Sequence, residues 1–340
     1  MKQVRKRLPI VLGIIIGVIV ACVLIYAATP LSTCQYSERK VTNIVKEKIN
    51  SSNLDTSHVQ YVNATDHIKL AYQSYAPTNP KAVVIFYHGS GANSRAGYQP
   101  IGEQLSQNYG IATYLPDIRG HGMSGGDRGD TPSMQQVYND ITSMIETAHR
   151  EFPSVPVFLG GHSAGAGLVI NYFNSPHHAN VDGYLFIAPD FGTKSHTMRE
   201  GFGDFASVCT KAFVINKLSG GILKGHEIGV RYNYPEESMK SNIGLIQYVS
   251  VNMALALNPS NPSKEFANID KPFGIWIGSE DEIMLPKKII DFANQTKIES
   301  LQSHIEIVPG EKHITILNNI AKKMGPWILQ SLPHEKMPRE

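Results

Sequence analysis

VPVFLGGHSAGAGLVINY, Val155 to Tyr172, is the stretch on which the reading of this chain turns. Val155 to Leu159 is a short apolar run of the length and composition of a buried strand. The run is expected to break at Gly160-Gly161. Gly161-His162-Ser163-Ala164-Gly165 then fits G-x-S-x-G, and an apolar pattern of helical period follows. Strand, tight Gly-flanked serine and helix together form the context in which this pattern marks a nucleophile elbow. The turn imposes strained dihedrals on its serine, and neighbours without side chains let strand and helix pass closely. A Gly-rich turn with no chemistry is the alternative, and the pattern alone does not exclude it.

Working outward, apolar strand candidates alternate with helical patterns. His58–Val62 and Ile68–Tyr75 alternate around Asn63-Ala-Thr-Asp, a hairpin signal. Ala82–Tyr87 and Ile111–Pro116 are continuous apolar runs fit for the middle of a parallel sheet. Helices are expected over Tyr98–Asn108 and Ser133–Arg150. Beyond the elbow, strands are expected at Asp182–Ala188, Phe273–Gly278 and His304–Val308, with helices at Lys287–Asn294 and Ile314–Gln330. Strand–helix alternation of this kind demands an α/β architecture: a largely parallel sheet with helices on both faces. The alternation lapses between Pro189 and Asn268, which is too long for a simple loop. An inserted cap over the sheet's C-terminal edge is expected there, with helical patterns at Asp204–Asn216 and Ile243–Leu257.

The 340 residues are 42% hydrophobic and 18% charged, as in globular proteins. A net charge of +2 implies no nucleic-acid or other general polyanion partner. Lys2, Arg5, Lys6 and Arg7 precede Leu8–Ala28, a stretch of 21 residues without a charge. That length spans a hydrocarbon core, and the basic flank stays cytoplasmic. An uncleaved signal anchor (1–28) with an outward-facing remainder is therefore expected. Cleavage and lipidation at Cys22 are the alternatives. A stalk (29–57) with a helix at Glu38–Ile49 leads to a domain over 58–332, with the cap at about 190–268 and a frayed tail at 333–340. Cys34 and Cys209 are an even pair in a compartment that permits a bridge, with two unrelated thiols as the other reading. No Cys/His cluster points to a metal, and the Gly-rich turns lack the spacing of a phosphate cradle, so no cofactor is expected. Oligomeric state is left open.

A serine hydroxyl is a poor nucleophile until a base takes its proton, and that base needs an orienting acid. In this architecture they follow in the order serine, acid, histidine at strand ends. Ser279-Glu280-Asp281-Glu282 follows the strand ending at Gly278. Pro309-Gly310-Glu311-Lys312-His313 follows the one ending at Val308. Ser163, Asp281 and His313 therefore fall where the chemistry needs them. Glu280 and Glu282 are rivals for the acid, but side-chain alternation would turn them away from Asp281. His121 and His162 are rivals for the base: His121 sits in a Gly-rich turn, and the His162 side chain should point elsewhere from the elbow. The oxyanion is expected to meet the backbone N–H groups of Ala164 and Ser90.

His88-Gly-Ser-Gly, Asp117-Ile-Arg-Gly-His-Gly-Met-Ser-Gly, Pro156 through Gly165, Gly278-Ser-Glu-Asp and Gly310-Glu-Lys-His, in this order and at these intervals, resemble the α/β-hydrolases. Within that fold the chain is similar to the monoacylglycerol lipase and lysophospholipase group, catalogued with serine aminopeptidase-like hydrolases. The resemblance runs from about Val59 to Leu332. It implies Ser163 as nucleophile, Asp281 as acid, His313 as base, Ser90 and Ala164 as oxyanion donors, and a small lipid or ester substrate. The chain departs from the group at Gly91-Ala92-Asn93, where Gly-Glu-His is usual, at Ala164, where Met is frequent, and in carrying an anchor. The expected activity is acyl-ester hydrolysis. A peptidase or thioesterase on the same three residues is the runner-up, and a non-catalytic binding protein on this fold is the reading from another class.

Overall fold

The computed structural model describes Gly17 and residues 58–200, 205–240, 243–296 and 301–332. The expected anchor, the stalk with its helix, and the tail lie outside the described residues. No helix among the described residues is long and apolar enough to cross a membrane.

The fold is built on a largely parallel sheet with helices on both faces. Its strands are β1 (Val59–Asn63), β2 (Lys69–Tyr75), β3 (Ala82–Tyr87), β4 (Ile111–Pro116), β5 (Val157–His162) and β6 (Gly183–Ile187), completed by the two strands named below. Between them run α1 (Gln99–Tyr109), α2 (Met134–Glu151) and α3 (Ala164–Phe173). The segment after β6 holds β7 (Ala206–Val208), α4 (Thr210–Leu218), β8 (Ile228–Tyr232), α5 (Glu236–Lys240), β9 (Tyr248–Ser250), α6 (Val251–Leu257) and α7 (Pro262–Ala267). β10 (Phe273–Gly278), α8 (Pro286–Thr296), β11 (Ser303–Val308) and α9 (Ala321–Gln330) complete the chain. The eight-stranded sheet has the order β1-β2-β4-β3-β5-β6-β10-β11. β1 and β2 pair antiparallel, β2 meets β4 antiparallel, and the remaining pairs are parallel. β3, β4, β5 and β10 are buried at every residue, which is why each reads as an unbroken apolar run: both faces are covered by helices. Ser133 caps α2 by accepting the Gln136 N–H at 3.1 Å, and His149 and Arg150 sit in its last turn against the negative end of the helix dipole.

Three expectations are corrected. The elbow strand does not break at Gly160-Gly161; it runs on to His162, with Gly160 opposite Phe86 and Leu185. The glycines serve close approach. A Cβ on Gly161 would stand 2.3 Å from the Gly165 carbonyl carbon, where β5 turns back under α3. Gly161→Ala is therefore expected to cost about 1–3 kcal/mol of overpacking, read as a lower urea midpoint at unchanged slope; an unaltered midpoint would contradict this contact. Second, the helical patterns expected at Asp204–Asn216 and Ile243–Leu257 start too early: the helices begin at Thr210 and Val251, and β7 and β9 stand before them, pairing with β8 in a separate antiparallel sheet. Third, the expected helix over Ile314–Gln330 is two pieces, a 3₁₀ turn at Thr315–Asn318 and α9, parted at Asn319, whose φ of −129° leaves the helical region.

The β7–β9 segment is tied down along its length. The Ser250 N–H donates to Gly129 O at 2.9 Å, the Ile246 N–H to Gly91 O at 2.8 Å, and Asn93 Nδ2 to Ile243 O at 2.7 Å. It rests against the loops that leave β3 and β4. The loop after β4 is in turn braced by a buried ion pair, Arg119 with Asp140 and Asp66, Nε to Asp140 Oδ2 at 2.6 Å.

Candidate functional site

The C-terminal ends of β3, β5, β6, β10 and β11 lie side by side in the sheet, and the expected residues sit on them. Ser163 follows β5 at φ 54° and ψ −121°, a conformation a side-chain-bearing residue holds only when its surroundings impose it. Its N–H donates to Ile187 O at 3.0 Å, and its C=O accepts from Ala166 and Asp190, both at 3.0 Å. The elbow is thus clamped between α3 and the end of β6.

Asp281 follows β10 and is fully buried. Its Oδ2 lies 2.8 Å from His313 Nδ1, while Oδ1 accepts the N–H groups of Ile283 at 2.9 Å and Met284 at 2.6 Å. Arg199 donates to the Asp281 carbonyl from Nε at 3.1 Å and Nη2 at 2.9 Å. Burial pushes the Asp281 carboxyl up, but the His313 imidazole and the two N–H donors outweigh it and hold the pKa below the usual carboxylate value. Burial pulls His313 down, and Asp281 first, then Glu282 and Asp190, outweigh that and raise it above the ordinary imidazole value. Nδ1 of His313 is thereby the protonated nitrogen, and Nε2 is the one free to take a proton. His313 and Ser163 face one cavity of about 420 Å³. Among the described residues no hydrogen bond joins Ser163 Oγ to the imidazole; such contacts commonly tighten only around a bound substrate.

Ser90 lies on the loop after β3, and Ala164 opens α3. Among the described residues neither backbone N–H has an acceptor. The Ser90 carbonyl accepts the Tyr234 hydroxyl from the far segment, so that the loop is gripped from above. From below, the Gly89 N–H donates to Tyr98 Oη at 2.8 Å.

The two rival histidines are accounted for. The His162 ring packs at a tilt of 49° against His313, ring centroids 4.6 Å apart, but its Nε2 donates to His313 O at 2.9 Å and its Nδ1 accepts the Tyr98 hydroxyl at 2.9 Å. Burial, then the charge of His313, pulls its pKa to about 3, so it is a neutral strut under His313. Contrary to expectation, its side chain does not point elsewhere from the elbow but lines the same cavity as Ser163. His121 donates from Nδ1 to Arg119 O at 3.0 Å, and burial holds its pKa at about 3. His121 does not line the Ser163 cavity, and both ring nitrogens of His162 are engaged.

Glu282 is also placed differently from expectation. It turns toward His313, and its Oε2 accepts the His313 N–H at 3.0 Å. Residues 280–284 form a turn around the Asp281 carboxylate, so the period-two alternation of a strand does not apply. Tyr98 and Tyr234 carried no signal in the sequence, since their contacts join segments 64 and 144 residues apart. A second cavity of about 280 Å³ meets the first at Ser90, Ser163, Phe205 and Ile283, and is lined by Val208, Phe213, Val230, Leu255 and Met284 with Asp190. Burial raises the Asp190 carboxyl to about 6. Among the described residues no group of three or more His, Cys, Asp or Glu side chains is placed to hold a metal ion.

Residues 78–319 match the sequence model of Hydrolase_4, the serine aminopeptidase S33 family. The chain belongs to this family. The matched span contains Ser90, Ser163, Ala164, Asp281 and His313. A relative in Dictyostelium discoideum, an uncharacterized abhydrolase domain-containing protein, is 35% identical over 237 residues, covering 68% of this chain and 24% of that protein. The monoglyceride lipase of Saccharomyces cerevisiae is 26% identical over 306 residues, covering 82% of this chain and 96% of that enzyme. The crystal structure of a soluble variant of that lipase, in complex with a substrate analog, superposes with a TM-score of 0.63 at 19% identity, covering 81% of this chain and 95% of that one. This likeness shows the S33 member's fold. The chain spans 24%, 37% and 33% of the length of the first curated relatives it matches.

Proposed function

We propose that this S33 family member is a serine hydrolase that cleaves the acyl ester of single-chain lipids, lysophospholipids or monoacylglycerols, through an acyl-enzyme. The observation that carries the reading is the His313–Asp281 pair at 2.8 Å, facing the same cavity as a serine held at φ 54°. Nε2 of His313 takes the Ser163 proton as Oγ attacks the ester carbonyl. The oxyanion is met by the Ser90 and Ala164 N–H groups. His313 then returns the proton to the leaving alcohol, and water repeats the sequence on the acyl-enzyme. Asp281 stays ionised and holds the imidazole tautomer. The β7–β9 segment acts as a cap, and the apolar 280 Å³ compartment takes the acyl chain, each buried methylene contributing about 0.8 kcal/mol.

Leu8–Ala28 is proposed to be an uncleaved anchor that keeps the domain on the outer face of the membrane. Supporting this is Cys209, which is disulfide-bonded, as cysteines of oxidising compartments often are. The tether would favour a substrate that partitions into the bilayer surface. The yeast relative is a monoglyceride lipase, which favours the lipid reading; the family's description as serine aminopeptidase favours amides. The test is kcat/KM of the full-length chain in mixed micelles on lysophospholipids, monoacylglycerols, diacyl lipids and aminoacyl amides. The single-chain esters are expected to lead, and a tenfold lead for amides or short soluble esters would replace the lipid reading with the peptidase or general esterase one.

The pH dependence follows from His313. It must be neutral to act, so activity is lost as pH falls through its raised pKa, and the acid limb of kcat/KM lies above the ordinary imidazole range. The Glu282 charge contributes to that elevation. Glu282→Gln keeps an acceptor for the His313 N–H but removes the charge, so the acid limb should move to lower pH with kcat at the optimum changed less than about tenfold. A limb that stays in place would show that Glu282 does not act on the imidazole.

A further inference from the structure

The cavity shared by Ser163 and His313 holds a guanidinium that no side chain among the described residues answers. Arg95, on the loop between β3 and α1, lines this cavity together with Tyr98, Gln99 and Glu103. Among the described residues its side chain makes no ion pair or hydrogen bond, and its Nε is buried without a partner. The other arginines near the site are engaged: Arg119 with Asp140 and Asp66, Arg199 with the Asp281 carbonyl, and Arg128 with the carbonyls of Gly122 at 3.0 Å and Gly244 at 3.1 Å. Glu103 is the only carboxylate among the residues lining this cavity; it is exposed, and no ion pair joins it to Arg95. The eleven-residue helix α1 brings its positive end to the same wall, with no side-chain cap and no acidic residue in its first turn.

Which part of a substrate lies here follows from the proposed chemistry, on which this inference rests. His313 must hand its proton to the leaving oxygen, so the leaving group occupies the His313 side of Ser163, which is the Arg95 compartment. The acyl chain takes the other compartment, where Val208, Phe213, Val230 and Leu255 give it an apolar wall; of the two charged groups there, Lys194 already donates to the Ser260 carbonyl at 2.8 Å, and Asp190 is itself an anion. A half-buried cation is costly to leave unpaired, and a planar guanidinium matches a phosphate through paired N–H donors. A glycerol leaving group would leave Arg95 unanswered.

We infer that Arg95 reads an anionic, phosphate-bearing leaving group, so that the preferred substrate class is the acidic lysophospholipids over the neutral monoacylglycerols. The phosphate is bound as part of the leaving alcohol; no bond to phosphorus is made or broken.

The experiment compares kcat/KM of the full-length chain on lysophosphatidic acid, lysophosphatidylglycerol and monoacylglycerol of one acyl chain, each at low mole fraction in neutral detergent micelles so that surface charge is constant. Glycerol 3-phosphate and inorganic phosphate are added separately as inhibitors. The two anionic esters are expected to exceed monoacylglycerol by about tenfold or more, the range of a charged hydrogen-bond pair. Arg95→Gln should lower that ratio by about tenfold, and Arg95→Lys should restore part of it. Glycerol 3-phosphate should compete better than inorganic phosphate. A wild-type ratio near one, or a ratio that Arg95→Gln leaves unmoved, overturns the inference while the hydrolase reading stands. Inhibition by inorganic phosphate alone, without preference among the esters, overturns it as well. Absence of hydrolysis on all three esters overturns the hydrolase reading and this inference with it.

Discussion

Ser163→Ala is expected to lower kcat on acyl esters by about ten thousandfold or more, with the thermal midpoint and fold retained. The hydroxyl is the atom proposed to become acylated, and His313, Asp281 and the two oxyanion donors have nothing to act through without it. What remains is binding and the oxyanion site acting on water. The fold should tolerate the change because the elbow is held by backbone: Ser163 N–H to Ile187 O, and Ser163 C=O from Ala166 and Asp190. None of these bonds uses Oγ. The measurement pairs steady-state rates with thermal unfolding. A variant that unfolds would leave the rate uninterpretable, and Ser163→Gly or Ser163→Thr with intact melting then supplies the comparison. A folded alanine variant keeping a tenth of wild-type turnover would remove Ser163 from the mechanism.

Asp281→Asn comes second, with an expected loss of about a thousand- to ten-thousandfold in kcat. The asparagine Oδ1 can still accept the Ile283 and Met284 N–H groups, so the turn survives. Its amide then faces His313 Nδ1 with a donor, which favours the imidazole tautomer protonated on the wrong nitrogen. The depressed carboxylate pKa has a consequence for pH as well. Asp281 remains ionised well below the range in which His313 titrates, so the acid limb of the wild type belongs to the histidine. Glu280→Gln and Glu282→Gln should each cost far less. If Glu282→Gln proved the crippling change and Asp281→Asn the mild one, the acid would have been assigned to the wrong residue.

Much of this was legible because the chain repeats local signals strongly. β3, β4 and β10 begin and end where their apolar runs do, because strands covered on both faces admit no polar interruption. Ser163 and Asp281 stand out because each follows such a strand, while His313 follows the half-buried edge strand β11; a parallel sheet collects all three strand ends on one edge. The segment after β6 resisted reading for the opposite reason. β7 and β9 have three residues each, too few to complete two periods of alternation, and β8 is interrupted by an irregularity between Ile228 and Val230. Their pairing is fixed by long-range contacts that no local window contains. Glu282 was misplaced because alternation was applied to a turn. His162 was misplaced because the elbow reverses the chain immediately after it, which folds its ring back under His313. Tyr98 and Tyr234 act through a single hydroxyl each, and a lone tyrosine reads as core until its partner is seen.

The central claim is that Ser163 is acylated. It is tested most directly by treating the full-length chain with a fluorophosphonate probe and mapping the adduct by peptide mass spectrometry. The account predicts one adduct, on Ser163, absent from Ser163→Ala and formed at least a hundredfold more slowly in Asp281→Asn. An adduct on another serine, or ester hydrolysis that survives complete labelling of Ser163, would contradict it.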